Sequence, residues 1–220
     1  MGILYLIRHG QASFGAADYD VLSDIGHEQS QALGAWFAAQ GVRPDRTVHG
    51  GLRRQRETLE GILRGMGQSA EPEIHPGLSE FDFKALLDAR FAGGDAPEGL
   101  HDDRKSHFRT LRDTVDLWQR GEIADAPEPW PDFVARVEAA RAHLMRDDAT
   151  VFAVSSGGAI GQMTAAVLGA PPQTQTALQL QTKNCAVTRF VFSPRRCALH
   201  GFNDTPFITA ANADRLLTYS

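Results

Sequence analysis

The sequence has little of what marks secreted, membrane or disulfide-rich proteins. Only two of its 220 residues are cysteines, Cys185 and Cys197, too few for a disulfide framework and without metal-site spacing. We expect free, buried thiols, and a bridge only where two strands bring them side by side. No apolar run approaches the roughly 20 residues of a membrane helix. The run at 3–7 lacks the basic flank and cleavage signature of a secretion signal.

The sequence also has no large excess of either charge sign. The chain carries 22 Lys and Arg against 27 Asp and Glu, a net charge of −5, and has no basic tract. This argues against nucleic acid or an anionic membrane as a partner. A hydrophobic content of 42% is ordinary for globular proteins and supplies a sizeable core. The sequence therefore predicts a cytoplasmic protein with a single domain over residues 1–220.

Short apolar runs alternate with segments of helical periodicity along most of the chain. Strands are predicted at 2–7, 46–49, 72–75, 150–154, 186–192 and 197–202. Helices are predicted at 23–40, 52–64, 83–91, 105–120, 132–146 and from 157 to 168. This alternation predicts an α/β fold, a three-layer αβα sandwich with a mostly parallel sheet. Residues 83–130 are predicted to form an inserted helical cap over the carboxyl ends of the strands.

A histidine between an arginine and a glycine follows the first predicted strand, as Arg8-His9-Gly10. A neutral imidazole can attack phosphorus, and a guanidinium binds phosphate oxygens in a bidentate manner. Ligands of parallel sheets bind outside the carboxyl ends of the strands. The strand at 150–154 also ends in small polar residues, so the two loops should be neighbours. Alone, a histidine after a strand is more often structural.

Two further segments carry candidate chemistry. The predicted helix at 52–64 opens with three arginines, Arg53, Arg54 and Arg56, at an end that already favours anions. For any one of them, a solvated helix face with i,i+4 glutamate partners is the simpler interpretation. Glu80 follows the third predicted strand, where it could protonate a leaving alkoxide. Considered alone, Glu80 is more simply interpreted as an ordinary carboxylate in a loop.

Taken together and in this order, the segments resemble the histidine phosphatase superfamily, which contains cofactor-dependent phosphoglycerate mutases and acid phosphatases. The resemblance covers nearly the whole chain. Its matching segments are Arg8-His9-Gly10, the Leu-Ser-x-x-Gly-x-x-Gln helix entry at 22–29, the Leu-x-Arg-x-x-x-Thr segment at 52–58, Leu-x-Glu at 78–80, and the closing strands at 184–188 and 202–204.

The resemblance implies a metal-independent phosphomonoester hydrolase that needs no cofactor and acts on a small phosphorylated molecule. His9 matches the position that becomes phosphorylated, and Glu80 matches the general acid. The phosphate-binding residues that it implies are Arg8, Arg54, Gln11, Ser13, Ser156 and Gly157.

One departure from the family pattern concerns the second histidine, which belongs in a Ser-His-Gly-Gly setting after the fourth strand. Here the stretch reads Ser155-Ser156-Gly157-Gly158, so Ser156 stands at the histidine position. A hydroxyl donates one hydrogen bond but carries no charge. Loss of one such donor typically costs about 10²–10³ in rate. The departure predicts a slow enzyme, or a pseudoenzyme that only binds a phosphate ligand.

Other interpretations are weaker. Mutases of the family carry different residues where this chain has Gln11, Ala12 and Gly15. A serine-hydrolase elbow would need glycine two residues before its serine, and Ala153 and Val154 stand there. The histidines are scattered, which argues against a metal site. A homodimer through the closing strands stays open, because periodicity does not distinguish an interface from a core.

Selectivity is predicted to reside in the helical cap, whose cations could meet a second anionic group of the substrate. Taken singly, each is more simply an exposed helix charge. These cations are Lys84, Arg90, Arg104, Lys105 and Arg109.

Overall fold

The computed structural model of the chain describes residues 1–13, 20–94 and 104–219, without the side chains of 104–108. The strands are β1 Gly2–Arg8, β2 Arg46–His49, β3 Glu73–Ile74, β4 Thr150–Ser155, β5 Val187–Ser193 and β6 Arg196–Asp204. The helices are α1 Asp24–Ala39, α2 Arg53–Gly65, α3 Phe83–Arg90, α4 Arg104–Gln119, α5 Trp130–Leu144, α6 Gly157–Leu168, α7 Gln173–Gln181 and α8 Ala213–Leu216, with a short 3₁₀ turn at Pro76–Leu78.

Every predicted strand and helix is present, whereas α7 and α8 were not predicted. The sequence of α7, QTQTALQLQ, has no apolar stripe of helical spacing. Four-residue α8 is shorter than periodicity can detect. Part of the loop predicted at 92–103 lies outside the described residues.

The six strands form one sheet in the order β3-β2-β4-β1-β5-β6. The first four strands of that order are parallel, and β5 and β6 are antiparallel to their neighbours. Strands β1 and β4 pair directly, with Arg8 opposite Ser155. The loops that follow these two strands are therefore neighbours, as the sequence predicts.

Side chains of β1 alternate between the two faces of the sheet. Leu4 and Leu6 join an apolar cluster that includes buried residues of α5 and α6. Tyr5 and Ile7 join a second cluster built with α1 and α2. Helices therefore cover both faces, because each face buries its own apolar set. The predicted three-layer αβα sandwich is confirmed.

Helices α4 and α5 share the core of the sheet. Trp118 of α4 lies 5.0 Å from Trp130 and 5.2 Å from Phe133 of α5, between ring centroids. Its ring also lies 4.9 Å from that of Phe81. All four aromatic side chains belong to the cluster that contains Leu4 of β1. The packing of α4 and α5 therefore fixes the segment just after Glu80.

Both cysteines are free thiols, as expected, but only Cys185 is fully buried, while Cys197 is half-buried. Cys197 lies on β6, the edge strand of the sheet, which leaves part of it open to solvent. Within the described ranges, no helix combines the length and the apolar character needed to cross a membrane.

Candidate active site

His9 immediately follows β1 and is held by the backbone on both sides. Its amide donates to the carbonyl of Ser155 at 3.0 Å, and its carbonyl accepts from the Asn184 side chain at 3.3 Å. Ring nitrogen Nδ1 lies 2.8 Å from the carbonyl oxygen of Gly10. A carbonyl only accepts, so this contact assigns the ring proton to Nδ1 and leaves the lone pair on Nε2.

The His9 ring is kept neutral. It is 4% exposed, and this burial lowers its pKa well below 6.5. The positive charges of Arg54 and Arg8 lower the pKa further. Arg54 Nε lies 3.2 Å from His9 Nε2 and donates to it. The site therefore combines a neutral nucleophilic nitrogen with two guanidinium groups.

The three arginines at the start of α2 have different partners. Arg53 Nε pairs with Glu57 at 2.7 Å, and Arg56 Nε with Glu60 at 3.7 Å, both at i,i+4 spacing. For these two, the simpler interpretation as helix-face ion pairs is confirmed. Arg54, whose side chain is 11% exposed, instead contacts His9.

Thr58 explains the spacing of the Leu-x-Arg-x-x-x-Thr segment. One turn after Arg54, its hydroxyl donates to the Arg54 carbonyl at 2.6 Å and accepts from the amide of Gly10 at 2.9 Å. The helix that carries Arg54 is thus bonded to the loop that carries His9. Gly10 has no room for a side chain, because an added Cβ would lie 2.7 Å from the carbonyl oxygen of Gly26.

Asp20 is a site residue that the sequence reasoning missed. One of its carboxylate oxygens accepts from the backbone amide of Arg53 at 2.8 Å, at the start of α2. The other lies 2.7 Å from Arg54 Nη1. A carboxylate is stabilised at a helix N-terminus. Asp20 therefore partly neutralises Arg54 and fixes its orientation.

Arg8, the last residue of β1, contacts the segment after α7 and lies beside the start of α6. Its Nη1 donates to the carbonyl of Thr182, just after α7. An added Cβ at Gly157 would lie 3.8 Å from Arg8 Nε, which places the start of α6 beside this guanidinium. The charges of Arg8 and Arg54 both act on the pKa of Glu80 as well as on that of His9. The structure therefore brings all four groups together.

Glu80 faces the start of α6. Its Oε2 accepts from the amide of Gly158 at 2.9 Å, and its Oε1 from the amide of Phe81 at 3.3 Å. Burial raises the pKa of Glu80, and the Gly158 amide and the two arginines oppose that rise in part. A raised pKa favours the protonated form that a general acid needs. The backbone amide of Gly158, at the start of α6, is therefore bonded to Glu80.

Arg136 of α5 holds the backbone that leads to Glu80. Its Nη1 donates to the carbonyl of Ser79 at 2.8 Å. The same guanidinium pairs with Glu128 at 2.6 Å and stacks on the Phe133 ring at 4.8 Å. Such a guanidinium is rigid because three groups constrain it. It positions Glu80 from outside the site.

Ser156 is fully buried at the end of β4. Its Oγ accepts from the Nε2 amide of Gln55 at 2.9 Å. The preceding Ser155 donates its hydroxyl proton to the carbonyl of Leu78 at 2.6 Å. The two serines therefore have different environments, and Ser155 is bound to backbone.

Gln11 and Ser13 are engaged in the loop after β1. Gln11 Oε1 accepts from the hydroxyl of Ser23 at 2.8 Å, and the Ser13 hydroxyl donates to the carbonyl of Leu22 at 3.1 Å. Ala12 and Leu22 also form an isolated β-bridge. These contacts order the loop, and a phosphate-binding role for Gln11 and Ser13 stays a prediction.

Two of the cations predicted for the cap, Lys84 and Arg90, have local partners. Lys84 pairs with Asp88 at 2.7 Å, and Arg90 donates to the Thr114 hydroxyl at 2.6 Å. Arg109 is exposed, while the side chains of Arg104 and Lys105 lie outside the described residues. Over the described ranges there is no group of three or more His, Cys, Asp or Glu side chains that could hold a metal ion.

Comparison with known proteins decides the family. A sequence profile of the histidine phosphatase superfamily (branch 1) matches residues 4–205. The chain belongs to the histidine phosphatase superfamily. Among relatives of this superfamily member is a 2,3-bisphosphoglycerate-dependent phosphoglycerate mutase of Brucella melitensis biotype 2. The two are 24% identical over 197 residues, which span 81% of this chain and 87% of the mutase.

Solved structures of the superfamily show the same fold. A mutant phosphoserine phosphatase from Entamoeba histolytica, in complex with phosphoserine, has a TM-score of 0.64 at 20% identity and covers 95% of this chain and 100% of its own. The alpha-ribazole phosphatase of Shigella flexneri has a TM-score of 0.65 at 21% identity, covering 92% and 96%. The structural similarity establishes the phosphoglycerate mutase-like fold, whereas sequence identities this low leave the substrate open.

Proposed function

We propose that this histidine phosphatase superfamily member is a phosphomonoester hydrolase that forms a phosphohistidine at His9. The observation that carries the proposal is the state of the His9 ring. Its proton is on Nδ1, bonded to the Gly10 carbonyl, and its burial and two arginines keep it neutral. A neutral imidazole with a lone pair on Nε2 beside guanidinium groups suits attack on a phosphate.

In the first step, the Nε2 lone pair of His9 forms the bond to phosphorus. The bond between phosphorus and the leaving oxygen breaks, and protonated Glu80 gives its proton to that oxygen. Arg8 and Arg54 hold the equatorial oxygens, with the Ser156 hydroxyl and the Gly157 amide. To do so, Arg54 must exchange its contact with Nε2 for a phosphoryl oxygen. The products are an alcohol, ionised Glu80 and phosphohistidine.

In the second step, ionised Glu80 takes a proton from water. The water oxygen bonds to phosphorus, and the bond between phosphorus and His9 Nε2 breaks. The ring returns to its neutral form with the proton still on Nδ1, Glu80 is protonated again, and inorganic phosphate leaves. One group with a raised pKa can thus serve as acid and then as base.

A second candidate function is binding of a phosphate ligand without turnover. Two observations favour it. Ser156 supplies no positive charge, and the carboxylate of Asp20 already neutralises part of Arg54. Against it, a pure binder has little use for a neutral nucleophile beside a carboxyl group whose pKa is raised. A mutase activity, as in the Brucella relative, is a third candidate that the residues at Gln11 and Ala12 disfavour.

Hydrolysis of an aryl phosphate between pH 5 and 8 tests the proposal, with His9→Ala measured in parallel. We expect turnover in the unaltered protein and its loss in the variant, because the variant lacks the nucleophile. Turnover that survives in His9→Ala would contradict the mechanism. Absence of turnover in both, with binding of inorganic phosphate retained, would favour the binding function.

The partner implied by this proposal is a small phosphorylated molecule, with no nucleic acid and no membrane. A cytoplasmic location, a single domain over 1–220 and a homodimer stay predictions. No metal or organic cofactor enters either step, because His9 and Glu80 supply the nucleophile and the proton.

A further inference from the structure

Gln55 lies where three segments of the candidate site meet. It follows Arg54 in the first turn of α2 and is fully buried. Its Nε2 donates to the carbonyl of Leu78 at 3.0 Å, two residues before Glu80. The same nitrogen donates to Ser156 Oγ at 2.9 Å. One amide therefore links the helix of Arg54, the segment of Glu80 and the loop of Ser156.

The orientation of the Gln55 amide follows from its partners. A carbonyl oxygen has no proton, so the side facing Leu78 must be the nitrogen. That nitrogen has two protons, and Leu78 and Ser156 take one each. Gln55 Oε1 accepts no hydrogen bond from any described residue. Buried polar atoms left unsatisfied are rare, and the arrangement keeps both donors in use at the expense of the acceptor.

The hydroxyl of Ser156 is thereby an acceptor toward Gln55 and keeps its own proton. Among the described residues, that proton is given to no acceptor. We infer that Gln55 is a positioning residue, which orients the Ser156 hydroxyl to donate to a phosphate anion, so that the pair takes the place of the missing second histidine. The inference rests on the proposed phosphate site.

The same geometry gives Gln55 a role in filling space. Its Nε2 is 2.9 Å from Ser156 Oγ, and an imidazole on the Ser156 backbone would extend well beyond the Oγ position. Its Oε1 is packed against Gly50, because a Cβ added to that glycine would lie only 2.4 Å from the oxygen. A histidine at position 156 therefore needs a smaller residue at position 55.

Calorimetric titration with inorganic phosphate tests the hydroxyl orientation, in Ser156→Ala, Gln55→Met and the double variant. A hydrogen bond to a charged group predicts that Ser156→Ala raises the phosphate Kd about tenfold or more. We expect Gln55→Met, of similar length, to raise it several-fold, and the double variant to match Ser156→Ala. Losses that multiply in the double variant would overturn the inference, because a merely structural glutamine acts independently of the hydroxyl.

A matched control is Thr164→Val on α6, which removes a buried hydroxyl whose hydrogen bond is to the carbonyl of Ile160 at 2.7 Å. It should lower the melting temperature without changing the phosphate Kd. A phosphate Kd that changes as much in Thr164→Val as in Ser156→Ala would also overturn the inference.

A second pair of variants stays informative where Gln55→Met folds poorly. Ser156→His alone should bind phosphate no better than the unaltered protein, because Gln55 blocks the ring. Combining it with Gln55→Ala should improve binding at least several-fold over the single variant. A gain from Ser156→His alone would contradict the role of Gln55. The readout of these experiments is phosphate binding, so they test the role of Gln55 whether or not a phosphohistidine forms. Failure to form a phosphohistidine would refute only the proposed function.

Discussion

Replacing Gly158 with alanine tests how the start of α6 positions the general acid. An added Cβ at Gly158 would lie 2.2 Å from Glu80 Oε1, against 3.4 Å for ordinary contact. The added Cβ would also lie 2.6 Å from the Phe81 ring, so a shift of the Glu80 side chain alone would not relieve the contacts. The carboxyl must move by about 1 Å, and its 2.9 Å bond from the Gly158 amide is lost.

A misplacement of about 1 Å at a reacting group costs on the order of 10²-fold in rate. We therefore expect Gly158→Ala to lower kcat/KM on an alkyl phosphate by about 100-fold. The loss of kcat/KM on an aryl phosphate should be smaller, because this constant reports phosphoryl transfer to His9, in which a phenolate leaves without a proton, and not the later hydrolysis of phosphohistidine. The lost hydrogen bond should lower the free energy of unfolding by about 1–2 kcal/mol.

The assay is steady-state hydrolysis of one alkyl and one aryl phosphate, with thermal unfolding of each variant. Gly93→Ala is the matched control, because a Cβ there meets open space and no positive φ restricts the residue. It should leave both rates unchanged. Equal losses of kcat/KM on the two substrates, or an unaltered kcat/KM for the alkyl phosphate in Gly158→Ala, would refute the placement of Glu80 as the acid.

Three further predictions concern pH and stability. The lowered pKa of His9 keeps its ring neutral and nucleophilic below pH 6.5. The rate of alkyl phosphate hydrolysis should fall as the pH rises through the raised pKa of Glu80, because the acid loses its proton. A Glu80→Gln variant whose rate still falls over the same pH range would contradict this assignment. Thr58→Val leaves the Gly10 amide without its acceptor and should lower the free energy of unfolding in urea by about 1–3 kcal/mol, whereas Thr58→Ser should not. The arginines around Glu73 lower its pKa from 4.5 to about 2, so its contribution to stability is present above pH 4.5 and lost toward pH 2. The melting-temperature difference between Glu73→Gln and the unaltered protein should shrink over that range, and a constant difference would contradict it.

The sequence predicts the layered fold and the ends of its strands because both follow from local patterns. The apolar run of β1 ends at the tripeptide that contains His9, and parallel pairing then brings Ser155 beside it. The Leu-x-Arg-x-x-x-Thr segment pointed to Arg54 only through the family resemblance, and the bonds of Thr58 to the Arg54 carbonyl and the Gly10 amide needed the structure. The fold class therefore followed from sequence patterns, whereas the grouping of Arg54 and Glu80 with His9 was implied by the resemblance.

The remaining site residues depend on contacts between distant segments, which a periodic pattern does not encode. Asp20 reaches the start of α2 across 34 positions to bind Arg54, and Gln55 reaches Ser156 across 101. The only sequence signal that Gln55 carried was its position as a polar residue on an otherwise buried helix face. The use of the Gly158 amide by Glu80 likewise needed the structure.

The central claim is that phosphate is transferred to His9. The most direct measurement is mass spectrometry of the protein after reaction with an aryl phosphate and an alkaline quench, which preserves phosphohistidine. Glu80→Gln should accumulate the intermediate, because phenolate leaves without a proton while hydrolysis lacks its base. We predict one phosphoryl group on the peptide that contains His9 and none in His9→Ala. Turnover of the aryl phosphate with no phosphoryl group on His9 would contradict the account.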